Sequence, residues 1–317
     1  MKNILIISLF LNIALSADAK TGTSIFRWAE IQTGTRAIGM GGTQVASGND
    51  ISALPYNPAS VCSVGESQLF SSVSNYLADT KHFTMAYGRK ISSSDFIGVH
   101  IFVFDSGEMP EATETQELTG KQFSFQGLAA RVTYGRKVTD RLNLGGTLKF
   151  LRESVTSNDL SMSGVSFDIG SNFDTGIYGL MLGMSITNFG PESKYLGDGL
   201  DVGTEGNEDE QKKTVYHPMP LTFRVGLEKV VINNEMYNLS VTADAINPLD
   251  YSLFGSVATE FVYQNLASVR LGYQLGHSTA GLSLGAGVSF KNFTLDAAYA
   301  DYGILQNTVQ FGLGYKF

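Results

Sequence analysis

From about Glu66 onward the chain repeats one pattern, apolar side chains alternating with polar or small ones. Leu142, Leu144, Gly146, Leu148 and Phe150 alternate with Arg141, Asn143, Gly145, Thr147 and Lys149. Leu221, Phe223, Val225 and Leu227 repeat the pattern, as do Leu239, Val241, Ala243 and Ala245, and then Leu282, Leu284, Ala286, Val288 and Phe290. A period of two is that of an extended strand, and the spacings of three and four that a helix needs are missing. Many runs reach roughly 10–14 residues, against about 5–6 for an ordinary strand and about 9–11 for a tilted strand that crosses a bilayer. No segment beyond the first twenty residues approaches the ~18 consecutive apolar residues of a helical span. In lipid only helices and closed barrels satisfy their own backbone. The pattern therefore predicts an all-β chain, a transmembrane antiparallel barrel.

The strands are expected at about 66–76, 80–89, 95–104, 122–135, 140–153, 159–171, 176–188, 219–230, 235–246, 252–264, 267–275, 280–290, 293–302 and 307–317, which makes about fourteen. The apolar face changes phase around Ser163 and Gly164, which predicts a bulge there. The strand at Phe96 is apolar on both faces, with Ile97, Val99 and Ile101 on one and Phe96, Phe102 and Phe104 on the other. Apolar side chains are thus expected inside the barrel as well as toward lipid. The two longest connections, 105–120 and 189–218, both follow odd-numbered strands. Loops at the outer end of such barrels are the longer ones.

Hydrophobic residues make up 43% of the chain and charged ones only 16%, where about 25% is usual in a soluble domain. A net charge of −8 argues against nucleic acid as a partner. Lys2, the apolar run from Ile4 to Leu15 and Ala17-Asp18-Ala19 have the three parts of a secretory signal, with cleavage expected after Ala19 and residues 1–19 removed. Export through the Sec route to the bacterial outer membrane is the expected localisation. The lone Cys62 has no partner for an internal disulfide and reads as a small buried hydrophobe.

At the other end Val309, Phe311, Leu313, Tyr315 and Phe317 alternate with Gln310, Gly312, Gly314 and Lys316. This resembles the C-terminal signature of bacterial outer-membrane barrels, and the resemblance implies recognition of Phe311, Leu313, Tyr315 and Phe317 by the barrel-assembly machinery. Residues 20–64 do not alternate. Their glycines permit turns with positive φ, and Pro55 and Pro58 exclude a central strand. Non-helical backbone at membrane depth survives only inside protein or a watery cavity. A barrel this wide has room for it, so residues 20–64 are expected to form a plug within a barrel of residues 65–317.

Gly34-Thr35-Arg36-Ala37-Ile38-Gly39-Met40-Gly41-Gly42, followed by Ser52-Ala53-Leu54 and Asn57-Pro58-Ala59, resembles the N-terminal signature of the PorV/PorQ family, which belongs with the fourteen-stranded FadL-type barrels. Gly39, Met40, Gly41, Gly42, Asn57, Pro58 and Ala59 are the plug motif on this reading. Tyr76-Leu77-Ala78-Asp79 and Asn188-Phe189-Gly190-Pro191 extend the likeness, and Pro55 departs from it. The resemblance implies assistance to protein export or surface attachment of the type IX kind. FadL-type relatives instead carry long-chain fatty acids and other hydrophobic compounds. Exported proteins and hydrophobic solutes are thus the two candidate partners besides membrane lipid. Apolar lumen residues would favour the solute, and a crowded lumen the protein.

No residue pattern calls for an enzyme, a metal or a cofactor. His82, His100, His217 and His277 match no ligand spacing, and lumen hydrogen bonding is the reading given to His82 and His100. Gly285-Ala286-Gly287 has no helix after it that could cradle phosphate. The long connections are acidic, with Asp105, Glu108, Glu111, Glu114 and Glu117 in the first, and Glu192, Asp198, Asp201, Glu205, Glu208, Asp209 and Glu210 against three lysines in the second. A solvated loop and a surface for cations or a basic partner are both open.

Overall fold

The computed structural model describes residues 21–112, 118–156, 160–197 and 214–317. Ala17 and Ala19 lie outside these residues, as do Glu114, Glu117, Asp198, Asp201, Glu205 and Glu208 to Glu210 of the acidic connections.

The described residues form a closed antiparallel barrel of fourteen strands. These are β1 (Ser67–Asn75), β2 (Lys81–Lys90), β3 (Asp95–Asp105), β6 (Phe125–Lys137), β7 (Leu142–Val155), β8 (Leu160–Asp174), β9 (Leu180–Phe189), β10 (Thr222–Asn233), β11 (Tyr237–Pro248), β12 (Phe254–Tyr263), β13 (Ala267–Leu275), β14 (Leu282–Phe290), β15 (Phe293–Asp301) and β16 (Asn307–Lys316). Two short strands, β4 (Met109–Pro110) and β5 (Gln122–Phe123), pair as a ribbon inside the first long connection. Each barrel strand pairs with its sequence neighbour, and β1 closes on β16 from Gln68 opposite Lys316 to Asn75 opposite Val309. Closure leaves the barrel no edge strand.

Alternation sorts the side chains. Val269, Leu271, Tyr273 and Leu275 of β13 face outward, while Arg270 and Gln274 are buried inside. On β7 Leu144, Leu148 and Phe150 face outward, and Thr147 and Lys149 inward. The apolar face is the lipid face and the polar face is the lumen, as a membrane barrel requires. One rim carries the two long connections, and the other carries short turns such as Asn234 to Met236 and Gln264 to Leu266. At the short-turn rim Phe293, Tyr315 and Phe317 form an outward aromatic group, with centroids 4.7 Å apart in each adjacent pair. Phe317 N donates to Ser67 O at 3.0 Å across the closing seam.

The bulge is not where the sequence pattern placed it. Pairing of β7 with β8 runs unbroken through Leu151 opposite Gly164 and Arg152 opposite Ser163. The register instead slips between β8 and β9, where Asp168 faces the extra residue of Thr187–Asn188 and Asn188 takes φ 63°. The break in hydrophobic phase has another cause. Met162 points inward and is covered by Phe26 and Met219 in one apolar cluster, so an apolar side chain sits on the lumen face without any shift of register.

Candidate functional site

Residues 25–64 lie inside the barrel. The short α-helix α1 (Thr35–Gly39) rests on β13 to β16, and the 3-10 turn Pro58–Ser63 rests on the opposite wall, β3 and β6 to β8. Local chemistry sets these turns. Asn57 stands at the N-cap of the second, its side chain accepting from Ala59 N at 3.0 Å, and Pro58 follows where no backbone donor is needed. Asp50 caps Ile51–Ala53 in the same way through Ser52 N, 2.8 Å.

The segment touches the wall by backbone as well as side chain. Gly39 closes α1 so near β14 that a Cβ on it would stand 2.8 Å from Gly285 Cα. Gly41 turns with φ 61°, and its carbonyl accepts from Ser256 Oγ at 2.8 Å and Gln274 Nε2 at 3.0 Å. Opposite it, a Cβ on Gly272 would lie 2.3 Å from Gly41 N. Gly42, φ 86°, returns its N–H to Ala37 O at 2.8 Å, and Met40 between these glycines is fully buried. On the other wall a Cβ on Gly145 would meet the Pro58 carbonyl carbon at 2.4 Å and Ala59 N at 2.5 Å. Asn57 Nδ2 donates to Val45 O at 2.7 Å and to Ser171 O at 3.0 Å. Gly272→Ala is therefore expected to lower stability by about 1–3 kcal/mol, because the clash is with backbone. Gly255→Ala, whose Cβ would stop 3.6 Å from Asp244 O, should be neutral. Thermal unfolding of both variants in detergent measures the difference, and equal midpoints would remove the close approach as a constraint.

Charge fixes the same contact. Arg36 of α1 grips Glu260 of β12, Nη2 to Oε2 at 2.6 Å and Nε to Oε1 at 3.0 Å. Glu260 also accepts from Arg270 Nε at 2.7 Å, and Arg270 Nη1 reaches Asp296 at 2.5 Å. All four side chains are nearly buried. On the far wall Lys149 bonds Asp168 at 2.9 Å and Asn188 at 2.5 Å, while Asn188 Nδ2 donates to Pro220 O at 3.1 Å. Trp28 donates Nε1 to Glu153 at 2.7 Å and stacks on Phe102 with centroids 5.9 Å apart. Cys62 is 1% exposed between Val61 and Val64 and beside Phe96, and burial pushes its thiol up to about 11.

The inward apolar side chains of β3 do not line an open path. Phe96 packs with Ile51, Leu54 and Val61, and Phe102 with Phe26 and Trp28, all from the inner segment. His100 Nδ1 pairs with Arg131 Nη1 at 3.0 Å, whereas the buried His82 ring lies against Tyr76 and Phe102 and meets no hydrogen-bonding group among the described residues. The expected hydrogen bonding in the lumen is thus seen at His100. Among the described residues these histidines do not converge with other ligands on a metal site.

Two cavities flank the segment and share no lining residue. The first, about 390 Å³, opens at the long-loop rim. The segment contributes Trp28, Ile31 and Gln32 to it, and the wall Tyr76, Leu77, Ile246, Pro248, Tyr251, Phe254 and Tyr302. Its polar groups include Arg27, Glu30, Gln274, His277 and Arg224. Arg27 is paired with Asp250 at 2.7 Å and with Glu30, whereas Arg224 has no ion-pair partner among the described residues and lies 5.7 Å from the Tyr56 ring centroid. The second cavity, about 380 Å³, opens at the short-turn rim and is polar, with Arg36, Asp50, Glu260, Arg270, Asp296 and Lys316 around it.

This architecture recurs among solved structures. A FadL homologue of Pseudomonas aeruginosa aligns with TM-score 0.59 and 14% identity over 90% of this chain and 99% of that one. The monoaromatic hydrocarbon channel CymD aligns at 0.63 and 12% over 90% and 98%. The Pseudomonas putida toluene transporter TodX aligns at 0.56 and 12% over 89% and 96%. The fold is that of the FadL-type outer-membrane barrels. At these identities the likeness extends to the fold alone, and it singles out no PorV/PorQ relative. No protein-family model matches the sequence, and no curated protein matches it.

Of the residues that matter here, the sequence pattern had singled out the glycines at 39–42 and Asn57-Pro58-Ala59. Arg36, within the resembling stretch, and Glu260, Arg270, Asp296, Trp28 and Arg224 were not picked out. The sequence carries a signal for Glu260 and Arg270. The short turn at Gln264–Leu266 sets Glu260 directly opposite Arg270 on the lumen face of adjacent strands.

Proposed function

We propose that this protein is an outer-membrane channel for small hydrophobic or amphipathic compounds, admitted at the long-loop rim and held there by the inner segment acting as a plug. The observation that carries this reading is the mouth cavity, where rings and aliphatic side chains (Trp28, Tyr76, Leu77, Ile246, Phe254, Tyr302) stand together beside polar groups such as Arg224 and Gln274. Support comes from the FadL-type fold, which includes proteins described as a toluene transporter and as a monoaromatic hydrocarbon channel. On this reading the long-loop rim faces the outside of the cell. Arg224 adds a cation that no carboxylate among the described residues meets at ion-pair distance, which suits an apolar molecule with an anionic end.

The test is solute uptake by cells that express the protein, using toluene and a long-chain fatty acid as probes. A carboxylate in the cavity wall should exclude both, so Leu77→Asp and Phe254→Asp are expected to cut uptake by roughly tenfold or more at equal barrel levels. Arg224→Leu should reduce fatty-acid uptake and spare toluene. Unchanged uptake in all three variants would overturn the reading. The likeness of residues 34–59 to the PorV/PorQ signature supports a second reading, assistance to protein export. Loss of surface-attached proteins with unaltered solute uptake would favour it.

A further inference from the structure

Arg131 of β6 and Lys149 of β7 lie directly opposite each other, and both point into the lumen, 3% and 1% exposed. Like charges so placed repel, and burial raises the cost unless each cation has a counter-charge. Lys149 has one in Asp168. Arg131 touches no carboxylate among the described residues. Its Nη1 faces His100 Nδ1 at 3.0 Å, its Nη2 donates to Ala29 O at 3.4 Å, and its Nε meets no acceptor among them.

A third cation completes the group. Arg131, Lys149 and Arg224 line one small cavity, about 20 Å³, beside Tyr56, Asn188 and Glu30. Among the described residues Arg224 has no carboxylate at ion-pair distance, and its Nε also meets no acceptor. The acids nearest these two guanidinium groups are Asp168, Glu30 and Asp244, and each is engaged elsewhere. Asp168 is bonded to Lys149, Glu30 to Arg27 and Thr222, and Asp244 to Val45 N. Three cations therefore meet at a cavity whose lining holds one acid, Glu30.

Room decides the occupant. A cavity of about 20 Å³ takes one body of about a water's size, too little for a carboxylate or phosphate group. A water would serve the guanidinium donors but leave the charges unmatched. We propose that this cavity is a binding site for a single halide ion, chloride in ordinary surroundings, held between Arg131, Lys149 and Arg224. The ion supplies both the counter-charge and an acceptor for the free N–H groups. It enters from the mouth cavity, which shares Glu30, Ile31, Gln32 and Arg224 with this one. Once bound it draws β6, β7 and β10 to one point beside Tyr56 of the inner segment. The assignment does not depend on what the barrel transports.

Thermal unfolding in detergent, in sodium chloride, bromide or gluconate at equal ionic strength, tests the site. Either halide should raise the midpoint above that in gluconate by about 2 °C or more, because a ligand of the native state adds its binding free energy to stability. Arg131→Gln and Arg224→Gln should each lose most of that shift. Arg136→Gln, at an exposed position on the same strand as Arg131, should keep it. Crystals grown in bromide should show its anomalous signal between Arg131, Lys149 and Arg224. Equal midpoints in the three salts, or a halide shift that survives both Arg131→Gln and Arg224→Gln, overturn the proposal, and so does bromide found only elsewhere. If a long-chain fatty acid, and not halide, gives a shift that Arg131→Gln removes, the cavity takes the carboxylate end of a solute and the halide assignment falls.

Discussion

Deleting residues 21–64 is expected to leave an assembled barrel that conducts ions, with conductance in planar bilayers raised by roughly tenfold or more, because barrels only slightly larger than this one enclose an aqueous channel. The barrel's backbone ladder does not depend on the segment. All fourteen strands pair with one another, and closure runs through β1 and β16. What the deletion removes is the filling of the lumen. Trp28 leaves Phe102, Ile51 and Leu54 leave Phe96, and the two cavities, now separate, become one passage. The barrel should also lose stability, since Phe96, Phe102, Leu151 and Met162 become wet at about 25 cal/mol per Å² of apolar surface. Heat-modifiable migration reports whether the barrel has formed. A correctly formed barrel with the conductance of the full chain would mean that the segment does not close the lumen.

The strands were legible because two independent signals agree, a period of two and a length fit for a bilayer. Every observed barrel strand starts and stops within a few residues of the expected one, from β1 (Ser67–Asn75) to β16 (Asn307–Lys316). What lies inside was less legible, since a sequence records a side chain and not what it meets. Phe96 and Phe102 are expected on the lumen face and lie there, but the sequence does not show that Ile51 and Trp28 cover them. Met162 imitated a change of register for the same reason. Gly145, Gly272 and Gly285 look like ordinary strand glycines until the backbone at Pro58, Gly41 and Gly39 is seen against them. The slip at Asn188 left no hydrophobic trace, because the residues it displaces are polar on the lumen side.

Neutralising Glu260 should loosen the inner segment more than neutralising Arg36, although the two form one ion pair. Glu260 stands between two guanidinium groups, Arg36 at 2.6 Å and Arg270 at 2.7 Å. In Arg36→Met the group of four charges is left at a net −1, but both carboxylates keep a direct partner, since Arg270 bonds Glu260 and Asp296 alike. In Glu260→Gln the Arg36 cation loses its carboxylate contact and keeps hydrogen bonds to the Ser47 carbonyl at 2.8 Å and the Gln44 amide oxygen at 3.2 Å, with Asp50 and Glu228 as more distant acidic neighbours. Stranding a buried charge costs about 3–5 kcal/mol, whereas removing a charge whose partner stays compensated costs much less. Glu260→Gln should therefore release α1 in a larger fraction of molecules, by roughly a hundredfold or more at the low end of that range. Hydrogen exchange of backbone amides 34–48 measures this directly, with protection falling steeply in Glu260→Gln and modestly in Arg36→Met. Bilayer recordings should show the same order, with open events more frequent in Glu260→Gln. If Arg36→Met lost as much protection, the contact would act as a simple pair, and Arg270 would have no share in holding the segment.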